Sequence, residues 1–185
     1  MRLGSEGAPL KGPSGTSVSP STASGSLASI NATLATGIVY NPGATPPNSD
    51  MVTLNATDNF GASETFNFVF NQSNNNTGVH LVGTSGNDVI FATGGSDVLT
   101  GGGGQDQFVF KPTGGSTAVQ HTITDFNAAT DTLDLRQFPT ISASALPSET
   151  QVGNDTLVTL DSQDTLLLKN VVVSNLHASD FIVHV

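Results

Sequence analysis

Residues 83–109 read GTSGNDVIF (83–91), ATGGSDVLT (92–100) and GGGGQDQFV (101–109), three successive nine-residue units whose spacing never slips. The fourth position is Gly86, Gly95 and Gly104, the sixth is Asp88, Asp97 and Asp106, and the eighth is Ile90, Leu99 and Phe108. A register held over three units marks a repeat architecture in which each unit stacks on its equivalents. The residue types say what each unit does. Glycine lets the backbone turn tightly through positive φ, and the turn then exposes carbonyl oxygens. Aspartate is a short carboxylate that reaches a cation at the turn without disturbing it, completing an oxygen-only donor set of the kind hard cations take. The last three residues form a short strand whose eighth position points inward.

This pattern resembles the G-G-x-G-x-D-x-U-x repeat of RTX (repeats-in-toxin) proteins, whose fold is a parallel β-roll binding Ca2+. The resemblance implies that Gly86, Gly95 and Gly104 supply turn carbonyls and that Asp88, Asp97 and Asp106 supply carboxylates. Two units complete one coil, so Asp88 and Asp106 are expected to share a cation. Asp97 belongs to the opposite edge, where its partner is expected near residue 115; Gly114-Gly115 offers carbonyls there but no carboxylate in register. The run QDQFVF (105–110), ITDF (123–126) and DTLDL (131–135) is similar to the segment that follows the repeats in serralysin-type C-terminal domains and other type I secretion substrates. Where that family often has an acid two residues before the isoleucine, this chain has His121, which leaves Asp125 as the candidate ligand, with Asp131 and Asp134 equally suited to turn and capping roles.

Composition agrees with this reading. The 185 residues carry only five Lys and Arg against fifteen acids, a net charge of −10, and twelve of the acids are Asp. So few cations leave no basic footprint for nucleic acid or an anionic membrane. Scarce helix-facing residues and twenty glycines favour an all-β chain. There is no cysteine, hence no disulfide and no thiolate metal site. No apolar run approaches the ~18 residues of a membrane span, and the N-terminal residues lack the apolar core of a usual export signal.

Outward from the repeats, residues 1–30 contain eight Ser with repeated Gly and Pro and read as a flexible linker. Residues 31–72 form a small antiparallel β region, with strands expected at GIVYNP (37–42), DMVTLNAT (50–57) and SETFNFVF (63–70). Alternation puts Val52, Leu54 and Ala56 on one face and Phe66, Phe68 and Phe70 on another, both expected to seek a core. The Tyr40-x-Pro42 and Thr57-Asp58…Gly61-Ala62 features resemble the last strands of immunoglobulin-like or cadherin-like adhesin repeats. Residues 73–82 read as a polar linker, and 83–185 as the β-roll with a β-rich C-terminal cap built from strands at 156–160, 165–173 and 181–185. The segment Asp180-Phe181-Ile182-Val183 resembles an uncleaved type I secretion signal.

No H-E-x-x-H, G-x-S-x-G or P-loop spacing occurs, and Glu is almost absent beyond residue 64, so catalysis finds little footing. The expectation is a non-catalytic, secreted, Ca2+-binding module whose partners are calcium and the type I secretion machinery. Two alternatives stand beside it: an adhesin-like module that recognises a cell surface, and a calcium-dependent accessory domain of a polysaccharide-modifying enzyme.

Overall fold

A computed structural model of the chain describes residues 2–4, 22–24, 50–57, 60–71 and 77–184. The strands are β1 (Arg2–Gly4), β2 (Thr22–Ser24), β3 (Asp50–Thr57), β4 (Ser63–Phe70), β5 (His80–Val82), β6 (Asn87–Phe91), β7 (Val98–Thr100), β8 (Gln107–Val109), β9 (Val119–Ile123), β10 (Thr132–Asp134), β11 (Ser148–Val152), β12 (Asp155–Thr159), β13 (Asp164–Leu168) and β14 (Phe181–Ile182). Two short 3-10 turns, Val173–Asn175 and Ala178–Asp180, complete the regular structure, and there is no α-helix among the described residues.

From β5 to β10 the chain visits two sheets in alternation. Strands β6, β8 and β10 lie side by side in one sheet, β5, β7 and β9 in the other, and every one of these pairings is parallel. This is a parallel β-roll, and the nonamer explains it: three residues suffice for a strand, and the Gly-rich six before it carry the chain across to the opposite sheet. The eighth positions stack in register. Val69, Ile90, Phe108, Leu133 and Phe181 are neighbours along one sheet; Leu81, Leu99, Ile123 and Leu168 are neighbours along the other. All are buried, and burying each such side chain contributes about 1.5–3 kcal/mol. Phe110, Leu135, Phe138, Val158 and Leu166 extend this core.

At each end the parallel order gives way to antiparallel strands. Strand β3 pairs antiparallel with β4 along their full length, and β11, β12 and β13 form an antiparallel meander whose last strand runs parallel to β9. The polar stretch after β4 does not interrupt the sheet, because Phe66–Val69 pair in parallel with Asn87–Ile90. That pairing reverses the expected facing of β4: Asn67 and Val69 point inward and are buried, whereas Phe66 is 41 % exposed on the outer face. The register with Asp88 and Ile90 sets the parity, so a polar residue is drawn inside and the phenylalanines are left out. In the cap, β12 and β13 form close to their expected places, but the strand expected over 165–173 stops at Leu168: Asn170 takes a left-handed φ of 57° and a 3-10 turn follows. Strand β11 carried no apolar alternation in its SETQV sequence to announce it. The strand expected at 37–42 lies outside the described residues.

Candidate metal centre

In the first two nonamers, the second-position threonine fastens the aspartate. The Thr84 amide donates to Asp88 Oδ2 (2.6 Å) and its hydroxyl to Asp88 Oδ1 (3.2 Å); the Thr93 amide donates to Asp97 Oδ2 (2.6 Å) and its hydroxyl to Asp97 Oδ1 (2.7 Å). The same hydroxyls accept the fourth-position amides, Gly86 N–H at 3.0 Å and Gly95 N–H at 3.2 Å. In the third nonamer a glycine replaces threonine, and Asp125 reaches in from the following segment, taking Gly101 N–H on Oδ1 (2.9 Å) and Gly102 N–H on Oδ2 (2.8 Å). Asp125 therefore shapes the turn beside Asp106.

Turns one coil apart lie in contact. The Gly103 amide donates to the Thr84 carbonyl at 3.0 Å. A Cβ on Gly102 would stand 1.8 Å from that carbonyl oxygen, and one on Gly104 would stand 2.7 Å from the Gly86 carbonyl carbon. These two glycines also adopt φ of +100° and +104°, so backbone conformation and close approach both demand them. Gly86 and Gly95 do not share the left-handed conformation; their turns are held by the threonine hydroxyls instead.

Strand register converts the sixth positions into a ladder. Asn67, Asp88, Asp106 and Asp131 are successive neighbours across β4, β6, β8 and the start of β10. The Asp88 amide donates to Asp106 Oδ1 (3.0 Å), and the Asp106 amide donates to Asp131 Oδ1 (3.1 Å). All three carboxylates are at most 5 % exposed. Burial, reinforced by the charges of Asp131, Asp88 and Asp125 and only partly offset by the Asp88 amide, raises the Asp106 pKa to about 6. Keeping Asp106 ionised therefore costs stability, the kind of local charge balance that a bound divalent ion would invert. No three His, Cys, Asp or Glu side chains form a ready-made metal cluster among the described residues, so an ion on this edge depends on turn carbonyls as well. The donor set fits calcium, which takes 6–8 oxygens in flexible geometry. Asp131 is the ladder member that a strict eighteen-residue spacing overlooks, because it follows Asp106 by twenty-five residues. Asp134 is instead paired with Arg136 at 2.6 Å.

The opposite edge differs. Its rungs in register are Val79, Asp97, His121 and Leu166. The Val79 amide donates to Asp97 Oδ1 (3.0 Å), and His121 Nδ1 lies 3.2 Å from Asp97 Oδ2 and 3.4 Å from the Asp97 nitrogen. Burial pushes the Asp97 carboxyl up, but hydrogen bonds from His121, Thr93 and Val79 outweigh it and hold the group below its ordinary value. The expected partner loop at Gly114-Gly115 is not stacked: a Cβ on Gly114 would meet nothing within 4 Å. That loop is held by Asp164, which accepts the Thr113 amide (2.9 Å) and hydroxyl (2.8 Å) from a position 51 residues away.

The family model of the RTX calcium-binding nonapeptide repeat, in four copies, matches residues 80–109. No curated protein sequence matches the chain. Among solved structures, the extracellular lipase LipA from Serratia marcescens is 15 % identical at a TM-score of 0.39, covering 72 % of this chain and 30 % of the lipase. The AlgE6R3 subunit of the Azotobacter vinelandii mannuronan C5-epimerase is 21 % identical at a TM-score of 0.30, covering 56 % of this chain and 77 % of the subunit. This chain thus spans less than a third of the lipase. On the repeat register, the glycine-demanding turns and the family match, residues 80–109 are RTX calcium-binding nonapeptide repeats, a segment type that binds Ca2+.

Proposed function

We propose that this chain is a non-catalytic secreted module that folds when it meets extracellular calcium. One observation carries the reading: three buried aspartates, Asp88, Asp106 and Asp131, are stacked in register and, among the described residues, have no cationic side chain as a hydrogen-bond partner. Their oxygens, with carbonyls of the turns around Gly86 and Gly104, are the proposed ligands, and Asp125 holds the turn from outside. Without calcium the ladder repels itself and the Gly-rich repeats stay open, a state suited to passage through a type I export channel. Outside the cell, calcium neutralises the ladder, and the stack of Ile90, Phe108 and Leu133 closes over it. Extracellular calcium modules bind with Kd of about 10⁻⁴–10⁻³ M, so the fold is switched by compartment. The Asp180–Val183 segment acts as the export signal in the open chain; in the folded chain Phe181 closes the apolar stack and Asp180 caps a turn through the His177 amide at 2.9 Å.

The test is circular dichroism of the full chain. Excess EGTA is expected to lower the β signal and the melting temperature, calcium to restore both, and equimolar magnesium to fail; a spectrum and melting temperature indifferent to calcium would refute the reading.

The outer face of β4 and β6 favours a second role beside this one. Phe66, Phe68, Val89 and Phe91 share that face, and Phe66 and Phe91 are 41 % and 37 % exposed. Such a face suits an adhesin-like contact with a cell surface. Binding of the folded chain to immobilised glycans or cell envelopes, lost in a Phe66→Ser/Phe91→Ser variant, would establish it.

A further inference from the structure

The roll has two edges, and only one is built for a divalent cation. On both edges each rung follows one rule, in which a backbone amide donates to the side chain of the next rung: Asp88 to Asp106 and Asp106 to Asp131 on the first edge, Val79 to Asp97 and Asp97 to His121 on the second. His121 therefore occupies an aspartate's place in the ladder. It is 1 % exposed, and Phe110 packs against its ring at a centroid distance of 5.3 Å, so the imidazole is held where a carboxylate would stand.

This substitution removes the second carboxylate that a cation between neighbouring turns would need. The rungs on either side are Val79 and Leu166, so Asp97 is the single acid of its ladder. Its carboxylate already accepts from the Thr93 amide and hydroxyl and from the Val79 amide, and His121 Nδ1 lies 3.2 Å from Oδ2. An imidazole nitrogen is also a poor ligand for calcium, which selects oxygen. The turn expected to follow, at Gly114-Gly115, contributes no carbonyl cage either, although the preceding turn approaches closely, a Cβ on Gly78 standing 1.8 Å from the Ser96 carbonyl oxygen. On the first edge, added Cβ atoms at Gly102 and Gly104 would strike backbone of the next turn at 1.8 and 2.7 Å, whereas at Gly115 the one atom within 4 Å is Thr117 N at 3.8 Å.

We infer that calcium binds along the Asp88–Asp106–Asp131 edge alone, and that on the Asp97 edge the His121 imidazole stands in calcium's place, so that this edge closes without metal. The inference rests on the calcium reading above. One side of the roll is then switched by calcium, while the other is complete within the chain.

The experiment counts ions bound to the full chain, by native mass spectrometry and calcium calorimetry, in wild type, Asp97→Asn, Asp106→Asn and His121→Asp. Asp97→Asn is expected to keep the wild-type stoichiometry with Kd changed less than threefold. Asp106→Asn is expected to lose at least one ion or weaken binding more than tenfold. His121→Asp restores two adjacent acids and is expected to bind one ion more than wild type. Loss of an ion in Asp97→Asn, or an unchanged count in a calcium-folded His121→Asp, would overturn the inference. If Asp97→Asn does not fold, His121→Asn, which keeps an acceptor for the Asp97 amide, replaces it, and must retain the wild-type count. A wild type that binds no calcium would refute the proposed function itself, a result distinct from any of these.

Discussion

Replacing Asp106 by asparagine should make the calcium-free protein more stable while removing much of its response to calcium. Asp106 is 3 % exposed, and its pKa is raised from 3.8 to about 6. At about 1.4 kcal/mol per unit, keeping it ionised in the calcium-free fold costs about 3 kcal/mol. The sign follows from linkage: between these two pKa values the folded chain holds a proton that the unfolded chain has lost, so stability falls as pH rises from 4 to 6 and is flat above. Asparagine retains an oxygen for the Asp88 amide, which donates at 3.0 Å, but sheds the charge. Its buried amide protons cost about 1 kcal/mol where they lack partners, leaving a net gain of about 2 kcal/mol at pH 7.5. For a chain of this length that is a rise of about 4–8 °C in Tm, or a larger folded fraction where wild type is mostly open. Thermal melts followed by circular dichroism in EGTA at pH 7.5 and pH 4, and again in saturating calcium, read all of this. In EGTA the variant should exceed wild type at pH 7.5 and lose that advantage at pH 4; in calcium the order should reverse. A variant less stable than wild type in EGTA at pH 7.5, or one with the full calcium-induced rise, would show that the ladder's charge is not what calcium relieves.

Two further substitutions probe the stacking itself. Gly102→Ala combines a φ of +100° with a Cβ 1.8 Å from the Thr84 carbonyl oxygen, and is expected to cost about 1–2 kcal/mol from conformation and more from the clash, seen as a lower urea midpoint; Gly114→Ala, with open space around its Cβ, should cost only the conformational part. Asp164→Ala removes both acceptors of Thr113, and should cost about 2–3 kcal/mol while leaving the number of bound calcium ions unchanged.

Much of this architecture is legible in the nonamers. Their register places Ile90, Leu99 and Phe108 inside and Asp88 beside Asp106, because a nine-residue period with alternating strands allows no other stacking. What escapes is whatever breaks the period. Loops between Phe110 and Val119 and between Phe126 and Asp131 lengthen the coil, so the residues that stack on Asp97 and Asp106 are His121 and Asp131, at separations of 24 and 25. No local pattern ties Asp164 to Thr113. The facing of β4 escapes for a related reason: its phenylalanines alternate as a core strand's would, yet its partner in the parallel pairing determines which side is in. Where a strand joins a preformed stack, the neighbour's register outweighs its own hydrophobicity.

The antiparallel strands at the two ends of the roll also bear on self-association. A stack of identical parallel coils presents, at each end, a template that another copy could extend without limit. Here β3 covers β4 in the opposite direction, and β11–β12 turn back from β13, so a second chain arriving at either place finds strand polarity that its own repeats cannot continue. The outermost strands β14, β5 and β2 are only two, three and three residues long, too short to seed fibre growth. The same repetition that lets nine residues specify a fold is thereby kept from specifying a polymer.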